Sequence, residues 1–164
     1  MAVPANIRVA SEPDVPLIHR FIRELAEYER LLHEVVATEE SVRETLFGTR
    51  RFAEVLIAEE GDTPVGFALF FHNYSTFLAR PGIYLEDLYV RPEYRGRGYG
   101  RQLLAHLARI AVERECGRFE WAVLNWNEPA IGFYRAMGAM PQDTWTVYRL
   151  TGDALRELAG SENA

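Results

Sequence analysis

Three glycines at every second position, in Arg95-Gly96-Arg97-Gly98-Tyr99-Gly100, separate an apolar run, Ile83 to Val90, from a helical pattern. That pattern is carried by Leu103, Leu104, Leu107, Ala108, Ile110 and Ala111. A strand that enters a helix through such a loop commits the chain to layered α/β structure. Glycine lets the backbone turn through conformations other residues avoid, and it brings bare N–H groups against a ligand. The helix that follows adds the positive end of its dipole, so a pyrophosphate is the natural guest. Arg91, Arg95, Arg97 and Arg101 supply compensating charge nearby. A bare turn would use the same glycines, but the strand before and the helix after favour an anion site. Two common phosphate loops are excluded. A dinucleotide fingerprint needs glycine where this chain has Arg101, and a nucleotide P-loop needs a lysine that the chain lacks altogether.

The remaining pattern supplies a sheet around that loop. Asn6 to Ala10 reads as a first strand, and Ser11-Glu12-Pro13-Asp14 opens a helix with a cap residue, an early proline and acids. Leu17, Ile18, Phe21, Ile22, Leu25 and Tyr28 recur at helical spacing on it. Thr38 caps a second helix that stops near Gly48. Strands follow over Glu54 to Glu59, Pro64 to Tyr74 and Ile83 to Val90, with Arg80-Pro81-Gly82 read as a turn. Beyond the loop helix come a strand at Phe119 to Leu124, a helix at Pro129 to Met137 and a strand at Trp145 to Leu150. Asp153 to Ala159 adds a final helical turn or two. The order predicts a single α/β domain over 1–164, a mixed sheet with helices on its faces.

With 164 residues and 26% charged residues, the chain sits in the ordinary globular range. Its net charge of −6 argues against a broad nucleic-acid footprint. No stretch approaches the roughly 20 apolar residues of a membrane span, and the amino terminus does not read as a secretory signal. Cys116 stands alone and no Cys/His spacing suits zinc, so a reducing cytoplasm and no metal are expected. The acidic excess is local: up to Asp62 there are 13 acids against 7 arginines, and the charges balance afterwards. An acidic face there could attract a cation, or simply be a solvated helix surface. His19, His33, His72 and His106 have no ligand spacing, and Cys116 has no recognisable base partner.

The stretch Leu85-Glu86-Asp87-Leu88-Tyr89-Val90 through Gly100 resembles the acetyl-CoA signature of the GNAT superfamily of N-acetyltransferases. The pattern Arg/Gln-x-x-Gly-x-Gly/Ala is met by Arg95, Gly98 and Gly100. Trp126-Asn127-Glu128-Pro129-Ala130-Ile131-Gly132-Phe133-Tyr134 through Ala139 resembles the second motif of the same superfamily. A narrower resemblance, to the diamine (spermidine/spermine) acetyltransferases, lies in Glu24 to Glu29, Tyr84 to Asp87 and Trp126 to Pro129. Phe71-His72-Asn73-Tyr74-Ser75-Thr76-Phe77-Leu78 is similar to the thialysine-preferring branch.

The resemblance implies a mixed, mostly antiparallel sheet of about six or seven strands with helices on both faces. In it the fourth strand splays from the fifth. It also implies that Leu88, Tyr89 and Val90 pair with the pantetheine arm of acetyl-CoA. Arg95, Gly96, Arg97, Gly98, Tyr99, Gly100 and Arg101 would cradle the pyrophosphate. Asn127, Glu128, Pro129 and Ala130 would line the cofactor arm, with Tyr134 beside the thioester sulfur. The substrate, a small cationic amine, would meet Tyr28, Glu29, Glu86, Asp87, Glu120, Trp121 and Ala122. A homodimer with strand pairing or exchange near Trp145 to Leu150 is the assembly implied.

Acetyl transfer to an amine requires that the nucleophile lose a proton, that the thioester carbonyl be polarised, and that the leaving thiolate gain a proton. An alkyl ammonium has a pKa near about 10, so a base is needed at neutral pH. Strand alternation places Glu86 and Asp87 on opposite faces, so one carboxylate faces the cleft. By resemblance that base is Glu86; a structural acid at a sheet edge is the other reading. Tyr134 can donate its phenolic proton, although a Phe-Tyr pair on an apolar helix face also suits plain packing. Two other functions remain open on sequence: acetylation of another amine such as a protein amino terminus, and an idle acyl-CoA-binding sensor.

Overall fold

The computed structural model describes residues 4–161. The chain falls into two compact units, one ending at Ala122 and one beginning at Val123. The first unit is built on a sheet of five strands: β1 (Asn6–Val9), β2 (Glu54–Glu60), β3 (Thr63–Ser75), β4 (Arg80–Val90) and β5 (Phe119–Trp121). They lie in sequence order, antiparallel except for the parallel β4–β5 pair. The sheet is mixed and mostly antiparallel, but it has five strands rather than six or seven. Trp145 to Leu150 forms no strand, and β5 stops at Trp121 rather than Leu124.

Helix α1 (Val15–Tyr28) buries Val15, Ile18, Phe21 and Leu25, one stripe at helical spacing. It starts where Arg8 grips Asp14 with two hydrogen bonds, 2.8 and 2.9 Å, which hold the Asp14 carboxyl below its usual range. Phe21 stacks on Phe67 of β3 at 5.3 Å and meets the Tyr89 ring edge-on at 6.1 Å. Helix α2 (Glu39–Phe47), capped by Thr38 through the Ser41 N–H, adds Val42 and Leu46 to the same cluster. These side chains cover the sheet face that carries Val55, Ile57 and Phe67. By alternation Leu56, Ala58, Ala68 and Phe70 point to the opposite face, and they too are buried. Helix α3 (Tyr99–Glu113) packs on β2, β3 and β4, and its final turn places Arg114 over the Phe70 ring at 6.0 Å. Helices therefore occupy both faces.

Arg80-Pro81-Gly82 is not a turn. These residues begin β4, paired with Ser75, Tyr74 and Asn73, and the hairpin turns over residues 76–79. Gly82 is there because its neighbour is close: a Cβ at that position would lie 2.2 Å from Asn73 Oδ1. The second unit contains α4 (Glu128–Ala136) and α5 (Gly152–Gly160).

Candidate active site

The glycine-rich loop stands between the short 3-10 turn Pro92–Tyr94 and α3. Gly96 and Gly98 adopt φ of 76° and 89°, left-handed values that would strain any side chain. Gly98 is also the N-cap of α3, and no side chain closes that helix end. The first-turn amides of α3 are thus without intrahelical partners, the arrangement that receives a phosphate. The arginines divide. Arg91 belongs to the scaffold: it makes a bidentate pair with Glu24 of α1 at 3.0 and 3.1 Å, donates to the Pro64 carbonyl and lies over Phe21. Arg97 is paired with Glu60. Tyr99, expected among the cofactor contacts, is buried to 1% and donates its phenolic proton to Glu60. Only its backbone is available to a ligand.

On the other side of β4 the sequence expectation of alternating carboxylates is corrected. Leu69 pairs with Asp87 and Phe70 with Leu85, so Glu86 is an extra residue, a β-bulge with no partner in β3. Glu86 is exposed, whereas Asp87 is half-buried on the Phe67 and Tyr89 side of the sheet. Burial is the main cause that drives the Asp87 carboxyl up to about 7, and the charges of Glu86 and Glu29 push in the same direction. Glu29 itself is raised by burial. It follows Tyr28 at the end of α1, where the chain reverses through a left-handed Arg30, φ 62°, and the Leu31 N–H returns to the Ala26 carbonyl at 2.8 Å. The fold therefore brings Glu29 at the end of α1 and Glu86 and Asp87 of β4 into one acidic cluster, with Tyr28 next to Glu29.

Arg95 joins the loop to Tyr28, the neighbour of Glu29. Its guanidinium sits 4.4 Å from the Tyr28 ring centre and 5.6 Å from that of Tyr89, and its Nε donates to the Val90 carbonyl at 2.8 Å. Tyr28 is thus already serving as a platform for a cation. Glu120 lies opposite Tyr84 on β5 and is held by Arg118 at 2.7 Å and Asn73 at 3.1 Å. Burial raises the Tyr84 phenol, helped by the charges of Glu86 and Glu120. Trp121 is half-buried edge-on to Phe119, and Ala122 is exposed. The β4–β5 ladder ends at Leu85–Trp121, so the stretch from Glu86 to Val90, including Leu88, Tyr89 and Val90, has no pairing with β5.

In the second unit Asn127 is buried and caps α4, accepting the Ala130 N–H at 3.4 Å. Glu128 and Pro129 form its first turn. Tyr134 is half-buried, its ring 5.5 Å from that of Phe133. Trp126 is 47% exposed and so is not a core residue.

The sequence model of the acetyltransferase (GNAT) family matches residues 19–139. The chain belongs to this family. A thialysine N-epsilon-acetyltransferase of Sus scrofa is 42% identical over 165 residues, covering 94% of this chain and 96% of the relative. An L-ornithine acetyltransferase of Arabidopsis thaliana is 36% identical, covering 94% and 87%. Among solved structures, an integron cassette protein from the mobile metagenome of V. cholerae superposes with a TM-score of 0.80 at 29% identity, covering 96% of this chain and 99% of that one.

Family membership makes acetyl-CoA the expected cosubstrate, and the residues of this GNAT acetyltransferase fit it. Left-handed glycines, an uncapped helix start and a β4 stretch unpaired with β5 suit a pyrophosphate and an amide-bearing arm. Among the described residues no group of three His, Cys, Asp or Glu side chains is arranged to hold a metal, and no helix is long and apolar enough to cross a membrane. Sequence reasoning missed two features. Glu60 at the loop carries no motif and is 39 positions from Tyr99. The other is the proximity of Cys116 Sγ to His72 Nδ1, 3.9 Å, although that nitrogen donates to the Gly82 carbonyl at 2.9 Å and so is no base for the thiol.

Proposed function

We propose that this chain is an acetyl-CoA-dependent N-acetyltransferase for small cationic amines: a polyamine, a diamine or a lysine-like amino acid. The observation that carries the reading is the cluster of carboxylates that α1 and β4 bring together, Glu29, Glu86 and the half-buried Asp87, in which desolvation and the two neighbouring charges push the Asp87 carboxyl up. Like charges drawn together at a cost in free energy are relieved by a bound cation, and a neutral substrate would gain nothing from them. The activities for which the relatives are named, on thialysine and ornithine, agree with that chemistry.

Acetyl-CoA supplies the activated acetyl group. Glu86 accepts the proton of the substrate ammonium, directly or through water, which frees the nitrogen lone pair. The C–N bond then forms and the C–S bond breaks in one ternary complex, and the second proton of the nitrogen passes to solvent as the amide forms. Tyr134 protonates the departing thiolate and regains its proton from solvent. Leu88, Tyr89 and Val90 hold the pantetheine arm and offer backbone N–H groups to the carbonyl, with Asn127, Glu128, Pro129 and Ala130 along the same arm. Arg95, Arg101 and the amides from Gly96 to Gly100 hold the pyrophosphate. Tyr28, Glu29, Asp87, Glu120, Trp121 and Ala122 receive the distal part of the amine. The elevated Asp87 gives a second reading of the base, in which Asp87 takes the proton and Glu86 only attracts the cation.

The two units act as one acetyltransferase domain, a reading supported by a family match that runs across their boundary. A cytoplasmic homodimer is the working assembly, supported by Trp145, Val147 and Tyr148, which are 79, 87 and 93% exposed. Thiol release with acetyl-CoA, measured across polyamines, lysine analogues and peptides, tests the activity. Turnover with small diamines or lysine analogues is expected. Binding of acetyl-CoA with no thiol release from any amine would instead leave an acyl-CoA sensor. Light scattering at assay concentration tests the dimer, and a monomer mass would remove it.

A further inference from the structure

Glu60 ends β2 at the β2–β3 turn, far in sequence from every motif of the site. Its carboxylate accepts from Arg97 on both oxygens, at 3.2 and 3.3 Å, and from the buried phenol of Tyr99. Arg97 and Tyr99 are the two neighbours of Gly98, the left-handed residue at the start of α3. One carboxylate therefore grips the chain on either side of the residue whose conformation aims the loop amides. The grip is reinforced: Arg97 donates to the Glu93 carbonyl at 3.2 Å and lies 5.2 Å over the Tyr94 ring. That ring meets Tyr99 edge-on at 6.5 Å. Glycine at position 98 is free to rotate, so the loop needs an outside hold to keep its amides converging on one point.

We propose that Glu60 is the positioning residue of the phosphate loop, fixing Gly98 through Arg97 and Tyr99 so that the loop amides are set before the pyrophosphate arrives. The proposal rests on the reading that residues 95–101 bind pyrophosphate. Two effects of removing Glu60 oppose one another. Freeing Arg97 from its partner would give the anion one more cation, and tighten binding. Releasing Gly98 would let the amides diverge, and loosen it. The geometry favours the second, because the Tyr99 phenol is buried and has its hydrogen bond to Glu60 to lose, whereas Arg97 is 44% exposed and already screened. Burial, together with Glu60 itself, raises the Tyr99 phenol, so it remains a proton donor throughout the working range.

The test compares acetyl-CoA with acetyl-pantetheine, which carries the same thioester and no pyrophosphate. The readout is the ratio of kcat/KM for the two donors, taken within each variant so that any loss of folded protein cancels. In the parent enzyme the ratio should lie well above one. Glu60→Ala should lower it by about tenfold, through KM for acetyl-CoA, with kcat at saturation unchanged within about twofold. Glu60→Gln, which can still accept from both donors, should recover most of the ratio, and Tyr99→Phe should lose about threefold. A Glu60→Ala ratio equal to or above that of the parent would overturn the proposal while leaving the loop a pyrophosphate site. A parent ratio of one would remove the pyrophosphate reading, and the proposal with it.

Discussion

The two ends of the site in the first unit handle charge in opposite ways. At the glycine-rich loop two of the four arginines are neutralised, Arg91 by Glu24 and Arg97 by Glu60. What is left for a ligand is backbone held at left-handed angles, with the exposed Arg95 and Arg101 beside it. At the acidic cluster the charges are left in conflict, with Asp87 raised by burial and by the neighbouring Glu86 and Glu29. A site made of backbone accepts one shape of anion whatever the pH. A site made of opposed carboxylates depends on pH and on a cation to relieve it. On the proposed function, the difference suits one end to holding a cofactor and the other to selecting a cationic substrate.

The largest effect expected is on the acidic end. Glu86→Gln should lower kcat by roughly 10²-fold, the scale of general acid–base catalysis, with KM for acetyl-CoA within about twofold. The loss should be greatest at low pH, where free amine is scarcest. If Asp87→Asn shows that loss and Glu86→Gln does not, Asp87 is the base. Stability should separate the two ends next. Asp87 has a folded pKa of about 7 against an ordinary value of 3.8, so the folded protein binds the extra proton between those values. Stability therefore falls as pH rises through that window, and the cost is complete above pH 7. Asp87→Asn should stabilise the protein by about 2 kcal/mol at pH 8, and up to about 4, with little change at pH 3.5. Equal thermal shifts at both pH values would break the charge-conflict account.

Gly98→Val should act on the other end alone, weakening acetyl-CoA by about tenfold in calorimetric titration and leaving the KM for amine unchanged. The smallest effect belongs to Arg95, which touches both regions. Arg95→Gln should raise KM for acetyl-CoA about threefold, since one exposed charge is lost. Parallel losses for cofactor and amine in the Gly98 variant would show that the two ends are not separate.

Much of this arrangement was legible in the sequence, because local chemistry dictates it. The loop needs Gly96 and Gly98 for their backbone angles, and the stripe of α1 needs Ile18, Phe21 and Leu25 at helical spacing. What escaped was whatever depends on a distant neighbour. Alternation predicted opposite faces for Glu86 and Asp87, but a bulge inserts Glu86 without any signal in the residues around it. Pro81 and Gly82 looked like a turn, yet Gly82 serves the close approach of Asn73. The acidic excess up to Asp62 read either as an attractive face or as a solvated helix surface. Much of it is tied up in ion pairs, with Asp14, Glu24, Glu54, Glu59 and Glu60 each holding an arginine, and Glu29 is an acid from that stretch that joins the cluster at Asp87. Trp145 to Leu150 has the composition of a strand, but a strand requires a partner, and these residues lie exposed without one in the sheet.

The proposed preference for a second positive charge on the amine rests on the acidic cluster of Glu29, Glu86 and Asp87. It is tested most directly by comparing kcat/KM for a straight-chain diamine and the monoamine of equal length, at pH 8 and low salt. The account predicts that the diamine is favoured by about 10²-fold, that added salt erodes the preference, and that Asp87→Asn removes most of it. Equal kcat/KM for the two amines in the parent enzyme would contradict it.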